Sequence, residues 1–386
     1  MNPEKTVKIA VIGCGARAHV VVNHLLREGN GRIKVASLYD PDREMMAEKA
    51  RLWDAAGALQ CGSHQEAIAA PGIEWVMVCS PNCAHKEHIL AAFAAGKHVF
   101  AEKPLATAME ECRTIHAAHQ QSGRLFATGF VLRYAPLYLK VRELLNSGRF
   151  GYIVAIDASE SIRPEHGGLI MAGWRRHRSV SGPHLLEKCC HDLDLLNWFA
   201  GALPVRAAAF GGRNFFIPAN AKISRKYGDL TFQKWSRFDP HTIGSPFTDD
   251  TDLMDNTVSI LEFDNQVRAA FFVTMSNAIP ERRMFFSCSE GTLKVDLYTG
   301  EIQYRTLGDE GHTTLNIPGD GHGGGDAVIA AALAESMLNH TAPQCGGDEG
   351  LRSTVVALAL DEAARSGVIY DLKPVWKSLN VDPTKN

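Results

Sequence analysis

Two textures divide the pattern of apolar and polar positions along the chain. In the first third, short apolar runs rich in β-branched residues alternate with amphipathic stretches of helical period. The run that starts at Val7 stops abruptly at Gly13, and further strand-like runs cover 33–38, 75–79, 98–101 and 125–129. Between them, helices are expected over 20–27, 41–56, 84–95 and 107–122, with Gly96 and Gly123 marking two of the C-terminal ends. Strands alternating with helices of this length require right-handed crossovers, hence a doubly wound parallel sheet over 1–129. After a connecting helix at 136–148 the period changes to two. Stretches 152–159, 205–211, 257–263, 266–275, 283–288 and 291–296 alternate in the manner of antiparallel strands with one covered face. Helices are expected over 185–200, 326–338 and 351–365, followed by a short polar tail. The expected fold is thus an α/β Rossmann domain at 1–129, then an α+β domain at 130–386 carrying a large, mostly antiparallel open sheet. The stretch 213–252, rich in aromatic, basic, Pro and Gly residues, reads as a long loop of the kind used for function or assembly.

Composition narrows the class. With 386 residues, 45% apolar and 22% charged, the chain is long enough for two full cores and is ordinary for a globular protein. Forty basic and 43 acidic residues leave a net charge of −3, which argues against a nucleic-acid partner. Nine cysteines without C-x-x-C spacing read as reduced thiols. The sequence shows neither a signal peptide nor an apolar run of membrane-spanning length, so a soluble cytoplasmic protein without a membrane partner is expected.

Candidate chemistry gathers at the ends of the expected strands. Gly13, Gly15 and Ala18 form G-x-G-x-x-A at a strand-to-helix turn. The first glycine permits the turn, the second lets backbone approach a pyrophosphate, and the alanine lets the helix pack close. Cys14, Ala16 and Arg17 supply the remaining amides of that turn. Asp40 ends the next strand, where a carboxylate accepts ribose hydroxyls. Ligands of doubly wound sheets lie beyond the carboxyl ends of the strands, which adds Ser80, Pro81, Asn82 and His85 after one strand and Glu102-Lys103-Pro104 after another. Lys103 stands where a cation meets a substrate oxygen or a nicotinamide ribose, and the proline after it is a candidate cis peptide. On the helix at 185–200, Glu187, His191 and Asp194 fall at i, i+4 and i+7 and share a face. An imidazole beside a carboxylate is a tunable proton acceptor near neutral pH. The other readings of this face are a metal site, which lacks a third and fourth ligand, and a buried histidine pinned by Asp194. No metal is expected.

Taken together and in this order, these motifs resemble the glucose–fructose oxidoreductase/inositol dehydrogenase (Gfo/Idh/MocA) family over nearly the whole chain. The Gly13-Cys14-Gly15 turn is similar to its cofactor loop, Ser80-Pro81-Asn82 with His85 to the loop lining the nicotinamide, and Glu102-Lys103-Pro104 to its E-K-P signature. Arg133 falls where members carry an arginine before a proline. Trp174-Arg175 and Ser181-Gly182 lead to a helix whose carboxylate and histidine, four apart, match Glu187 and His191. The family carboxylate is usually Asp, and its usual double glycine is Gly182-Pro183 here. His322 with Gly323 to Asp326 resembles a glycine-rich helix start of some members.

The resemblance implies NAD as cofactor, preferred over NADP because Asp40 repels a 2′-phosphate. It implies a sugar, anhydrosugar or cyclitol substrate, catalysis by Lys103, His191 and Glu187, and substrate contacts from Arg133, Trp174, Arg175, Arg176 and His191. It also implies a homodimer or homotetramer built on the open sheet. A redox-neutral glycoside hydrolase with transient ring oxidation is the alternative, with Arg175, Arg176 and Arg178 as a cradle for an anionic sugar. A third reading, a ligand-sensing protein without chemistry, loses weight because the lysine and histidine are both present.

Overall fold

The computed structural model describes residues 5–227 and 244–384. Six parallel strands form the first sheet: β1 (Val7–Ile12), β2 (Ile33–Tyr39), β3 (Leu59–Gln60), β4 (Ile73–Val78), β5 (His98–Ala101) and β6 (Phe126–Thr128), in the order β3-β2-β1-β4-β5-β6. β1 and β4 are buried almost throughout, as expected of strands covered by helices on both faces. The strand order reverses between β1 and β4, and the glycine turn lies there. The Gly13 N–H donates to the Tyr39 carbonyl at 2.8 Å, and the Cys79 N–H donates to the Ile12 carbonyl at 2.8 Å. Gly13 has φ +88°, and a Cβ on it would lie 2.6 Å from the Cys79 carbonyl carbon and the Ser80 nitrogen. The turn therefore excludes any side chain.

The chain divides into two compact units, and the division corrects the 1–129/130–386 reading. The first unit comprises Met1–Val131 together with Gly325–Leu351; the second comprises Leu132–Gly324 and Arg352–Asn386. The break near residue 130 is present, yet the helix Gly325–Asn339 returns to pack along the helix Ala16–Gly29. Behind it, Thr128 holds the segment in place, its N–H donating to the Cys345 carbonyl at 3.0 Å and its hydroxyl to the Gly346 carbonyl at 2.8 Å. Local period cannot report that return, because the helix pattern is the same whichever unit it covers.

Nine strands make the second sheet: β7 (Ile153–Ser161), β8 (Pro204–Gly212), β9 (Asn256–Phe263), β10 (Arg268–Thr274), β11 (Glu281–Cys288), β12 (Gly291–Asp296), β13 (Glu301–Thr306), β14 (Thr313–Asn316) and β15 (Tyr370–Asp371). Their order is β14-β13-β12-β11-β7-β10-β9-β8-β15, antiparallel except between β7 and β10. Along β10 burial alternates strictly, so one face is covered and the other open. The helix Cys190–Ala200, buried except at Trp198, lies against the covered face.

Three expectations change here. The stretch 185–200 is not one helix: a single turn, His184–Glu187, is followed by the helix Cys190–Ala200. The stretch 213–252 is not one open loop. It holds the helix Ala221–Tyr227, and Phe216, Phe247 and Leu253 join Ile162, Ile170, Met171 and Met275 in an apolar cluster. Asp255 anchors its start by accepting the amides of Phe215 and Phe216 at 2.9 and 2.8 Å; positions 228–243 lie outside the described residues. The C-terminal segment is not a polar tail either. β15 pairs with β8, and the helix Lys373–Ser378 buries Trp376, whose indole N–H donates to the Pro204 carbonyl at 2.7 Å. Leu372, Val375 and Leu379 are buried with it, a short apolar set that the expectation of a polar tail passed over. Among the described residues, no helix is long and apolar enough to cross a membrane.

Two expected outcomes follow from this packing. Trp376→Ala lowers the free energy of unfolding by about 3 to 5 kcal/mol in guanidinium titration, the cost of emptying a buried aromatic site. Gly13→Ala lowers it by about 2 kcal/mol or more, from positive φ and backbone collision together.

Candidate active site

The candidate residues of the first unit are built on strand ends. Gly15 caps the helix Ala16–Gly29 from an extended conformation; no side chain caps that helix start, and its first turn holds no acidic residue. Space is open within 4 Å of where a Gly15 Cβ would stand. Amides at a helix start with an open approach suit a pyrophosphate. Asp40 braces the turn, one carboxylate oxygen accepting the Cys14 N–H at 2.7 Å and the other the Asp42 N–H at 2.9 Å. Burial, followed by Asp40, holds the Cys14 thiol well above its usual range, so it remains neutral. Arg43 opens the helix Arg43–Leu52, capped by Asp42. These residues fit a dinucleotide: a helix start for its phosphates and a carboxylate for its ribose.

Arg17 does not point into that open space. Its guanidinium bonds Glu102 at 2.7 Å and Asp326 at 2.5 Å, joining the glycine turn, the end of β5 and the start of the helix Gly325–Asn339. Glu102 also accepts the Lys103 N–H at 3.2 Å, and the Lys103–Pro104 peptide is cis. Lys103 itself is half-buried. Pro81 precedes a short 3-10 turn, Asn82–Ala84, in which Asn82 is buried. His85, expected to line the nicotinamide, is buried, with both ring nitrogens on carbonyl oxygens: Nδ1 on Pro104 at 2.7 Å and Nε2 on Ser80 at 2.9 Å. It ties the Ser80 loop to the Lys103 turn. Carbonyls only accept, so both bonds require a doubly protonated ring; burial opposes this and lowers the His85 pKa, while the two carbonyls raise it. The Ser80 hydroxyl meets His88 Nδ1 at 2.9 Å, and the His88 ring lies 4.5 Å from that of His64. Burial and then His64 depress the His88 pKa to about 4.

The second unit carries Glu187 and His191, the expected carboxylate and imidazole. Glu187 ends its short helical turn, and Arg175 donates to it at 3.2 Å. The Arg175 guanidinium also stacks over the Trp174 ring at 4.3 Å, while Ser181 donates its hydroxyl to the Arg175 carbonyl at 2.6 Å. His191 is buried near the start of the helix Cys190–Ala200, its ring 5.9 Å from that of His322. Because the helix is interrupted between them, the placement of Glu187 and His191 is set by the 188–190 backbone and not by a simple four-residue spacing. Asp194, which the helical spacing put beside His191, binds Arg133 in a two-pronged pair at 2.7 and 2.8 Å. That pairing engages the fork of Arg133, expected as a substrate contact. The basic run is also compensated. Arg175 faces Glu187, Arg176 faces Asp250 at 3.1 Å, and Arg178 pairs with Asp361. It offers no surplus charge for an anionic sugar.

A set of buried charges escaped the sequence reading. On the covered face of the sheet, Arg282 of β11 and Glu160 of β7 are direct cross-strand partners, 2.5 Å apart. Arg282 also grips Asp192 through two bonds of 2.8 and 2.6 Å, and the Lys188 ammonium lies 3.6 Å from Glu160. Burial raises the Glu160 carboxyl to about 7 against the pull of Arg282, with Asp192 adding to the rise. The adjacent pairs Glu187-Lys188 and His191-Asp192 were the available signal, although charges beside a helical turn are usually solvated. Among the described residues, no group of three or more His, Cys, Asp and Glu side chains is arranged to hold a metal ion.

Residues 7–130 match an oxidoreductase family described by its NAD-binding Rossmann fold, and residues 138–294 match the Gfo/Idh/MocA C-terminal domain. An inositol 2-dehydrogenase of Pseudomonas savastanoi pv. phaseolicola is 38% identical over 195 residues, 50% of this chain and 54% of that protein. A 1,5-anhydro-D-fructose reductase of Ensifer adhaerens is 25% identical over 318 residues, 81% of this chain and 83% of that protein. The chain thus matches about half the length of several of these relatives. Among solved structures, a levoglucosan dehydrogenase in complex with NADH and levoglucosan shares the fold with a TM-score of 0.79 at 17% identity, covering 96% of this chain and 100% of that one. On the two matching domains, this chain belongs to the Gfo/Idh/MocA oxidoreductase family, and its first domain is the NAD-binding Rossmann domain of that family.

Proposed function

We propose that the chain is an NAD-dependent dehydrogenase acting on a secondary hydroxyl of a sugar, anhydrosugar or cyclitol. The observation that carries this reading is the side-chain-free turn at Gly13 leading to an uncapped helix start, with Asp40 at the ribose position. Relatives named for inositol, anhydrofructose and levoglucosan support the substrate class. Bound NAD supplies the hydride acceptor, and the rest is done by residues of this chain. Gly13, Cys14, Gly15, Ala16 and Arg17 form the phosphate turn, and the negative charge of Asp40 disfavours the 2′-phosphate of NADP. Ser80, Pro81, Asn82 and Glu102 shape the cofactor's surroundings, with His85 fixing the loop behind them.

His191 takes the proton of the substrate hydroxyl as the carbon gives up hydride, leaving a ketone. Lys103 donates a hydrogen bond to the same oxygen and stabilises the alkoxide charge that develops there. Glu187, steadied by Arg175, orients the substrate, and Trp174 and Arg176 flank that region. Compensation of the arginine run favours a neutral sugar or polyol over an anionic one.

Lys103→Ala and His191→Ala are each expected to lower kcat by about a hundredfold or more with NAD affinity unchanged. NADH formation with myo-inositol and levoglucosan, together with calorimetric NAD titration, checks this; wild-type turnover by both variants overturns the assignment. Glycoside cleavage without net NADH would favour the hydrolase reading instead.

We also propose self-association through the open sheet face. Phe210 (78% exposed) faces Val258 across β8 and β9, Val258 faces Phe272 across β9 and β10, and Ile260 extends the stripe. Such a patch marks an interface. Light scattering is expected to give a dimer or tetramer for the wild type and a smaller species for Phe210→Asp/Ile260→Asp.

A further inference from the structure

Glu187 and His191, proposed above to orient the substrate and to take its proton, share an arrangement that no comparison assigns. Each is followed in sequence by a charged residue held on the buried face of the sheet: Lys188 after Glu187, and Asp192 after His191. The holding groups are themselves a cross-strand pair. Glu160 receives Lys188 at 3.6 Å, and Arg282, 2.5 Å from Glu160, receives Asp192 through both of its prongs. Glu160 and Arg282 are both buried, on β7 and β11 inside the nine-stranded sheet. Lys188 and Asp192 bracket the stretch where the helical ladder is irregular. There the Cys189 amide reaches back five residues to the His184 carbonyl at 3.4 Å, and the Asp192 amide reaches back only three, to Cys189 at 3.0 Å.

We infer that Glu160, Lys188, Arg282 and Asp192 are positioning residues, a four-charge clamp that sets the placement of Glu187 relative to His191. The inference rests on the proposed roles of Glu187 and His191 for its catalytic consequence, but not for its structural one. Lys188 and Arg282 lie against Glu160 and Asp192, so each group has an opposite partner in a place where an unpaired charge would be costly. The sheet supplies the rigid side, because a cross-strand pair between central strands cannot shift without breaking the ladder. The irregular backbone is the movable side: one regular turn through 188–190 would rotate Glu187 about the helix axis relative to His191. The clamp thus substitutes for helical regularity, and it explains why the Glu187–His191 geometry departs from a simple i, i+4 pair.

The test removes one pair at a time. Glu160→Gln alone leaves Lys188 without its buried counter-charge and is expected to lower the melting temperature. Glu160→Gln/Lys188→Met removes both charges and is expected to restore most of that loss, as deletion of both members of a buried pair usually does. Stability and geometry should separate in the double variant. Its crystal structure is expected to show the Glu187 carboxylate displaced from its wild-type position relative to His191 by about 1 Å or more, and kcat is expected to be about a hundredfold down with KM for NAD unchanged. NADH formation with myo-inositol or levoglucosan, whichever the wild type oxidises, reads the kinetic arm; the crystallographic arm needs no substrate. Superposition of Glu187 and His191 on the wild type in the double variant overturns the inference, as does recovery of kcat along with stability. Full activity of His191→Ala and Glu187→Gln would instead overturn the proposed catalytic roles, while the crystallographic arm still decides whether the clamp positions them.

Discussion

The close approach of two backbones governs the first unit. With β1 and β4 adjacent at the point where strand order reverses, the space above Ile12 is bounded by the Cys79–Ser80 peptide, and only a residue without Cβ turns there. The rest of that region follows from this constraint. The helix Ala16–Gly29 starts with its amides open, Asp40 is drawn in to brace the Cys14 amide, and Arg17 swings back to Glu102 and Asp326. A strand end, a glycine turn and a helix start thereby become an anion site through geometry alone.

The second unit manages charge in the opposite way. Its buried interior holds charges in opposed sets: Arg133 with Asp194, Arg282 with Asp192 and Glu160, Lys188 with Glu160. Such pairs contribute little net stability compared with apolar packing, but they have one satisfactory arrangement, which favours their use where geometry matters. The neighbouring basic run follows the same principle nearer the surface, each arginine meeting a carboxylate. Glu187 and His191 thus sit within a framework of compensated charge.

How much of this could be read beforehand depended on the range of the interaction. Elements with strong local pattern were legible: β5 and β12 match their expected bounds, and Gly96 and Gly123 follow the ends of their helices with positive φ. The glycine turn, Asp40 and the Glu102-Lys103-Pro104 turn fall at the expected strand ends. Trp376 was not legible, since its burial depends on a carbonyl more than 170 residues away. Nor was the partner of Asp194: helical spacing pointed to His191, while the two-pronged match came from Arg133, 61 residues upstream.

The sequence by itself determined the class of each unit, because periods of 3.6 and 2 reflect which faces are covered, and it marked the turn chemistry, because glycine adopts positive φ at the least cost. Tertiary structure alone decided which unit the helix Gly325–Asn339 joins, that the expected helix at 185–200 is interrupted, and that His85 braces two loops from within. Each of these turns on partners distant in sequence, and a buried charge or ring nitrogen is satisfied by whatever the fold brings within about 3 Å of it, which no local pattern encodes.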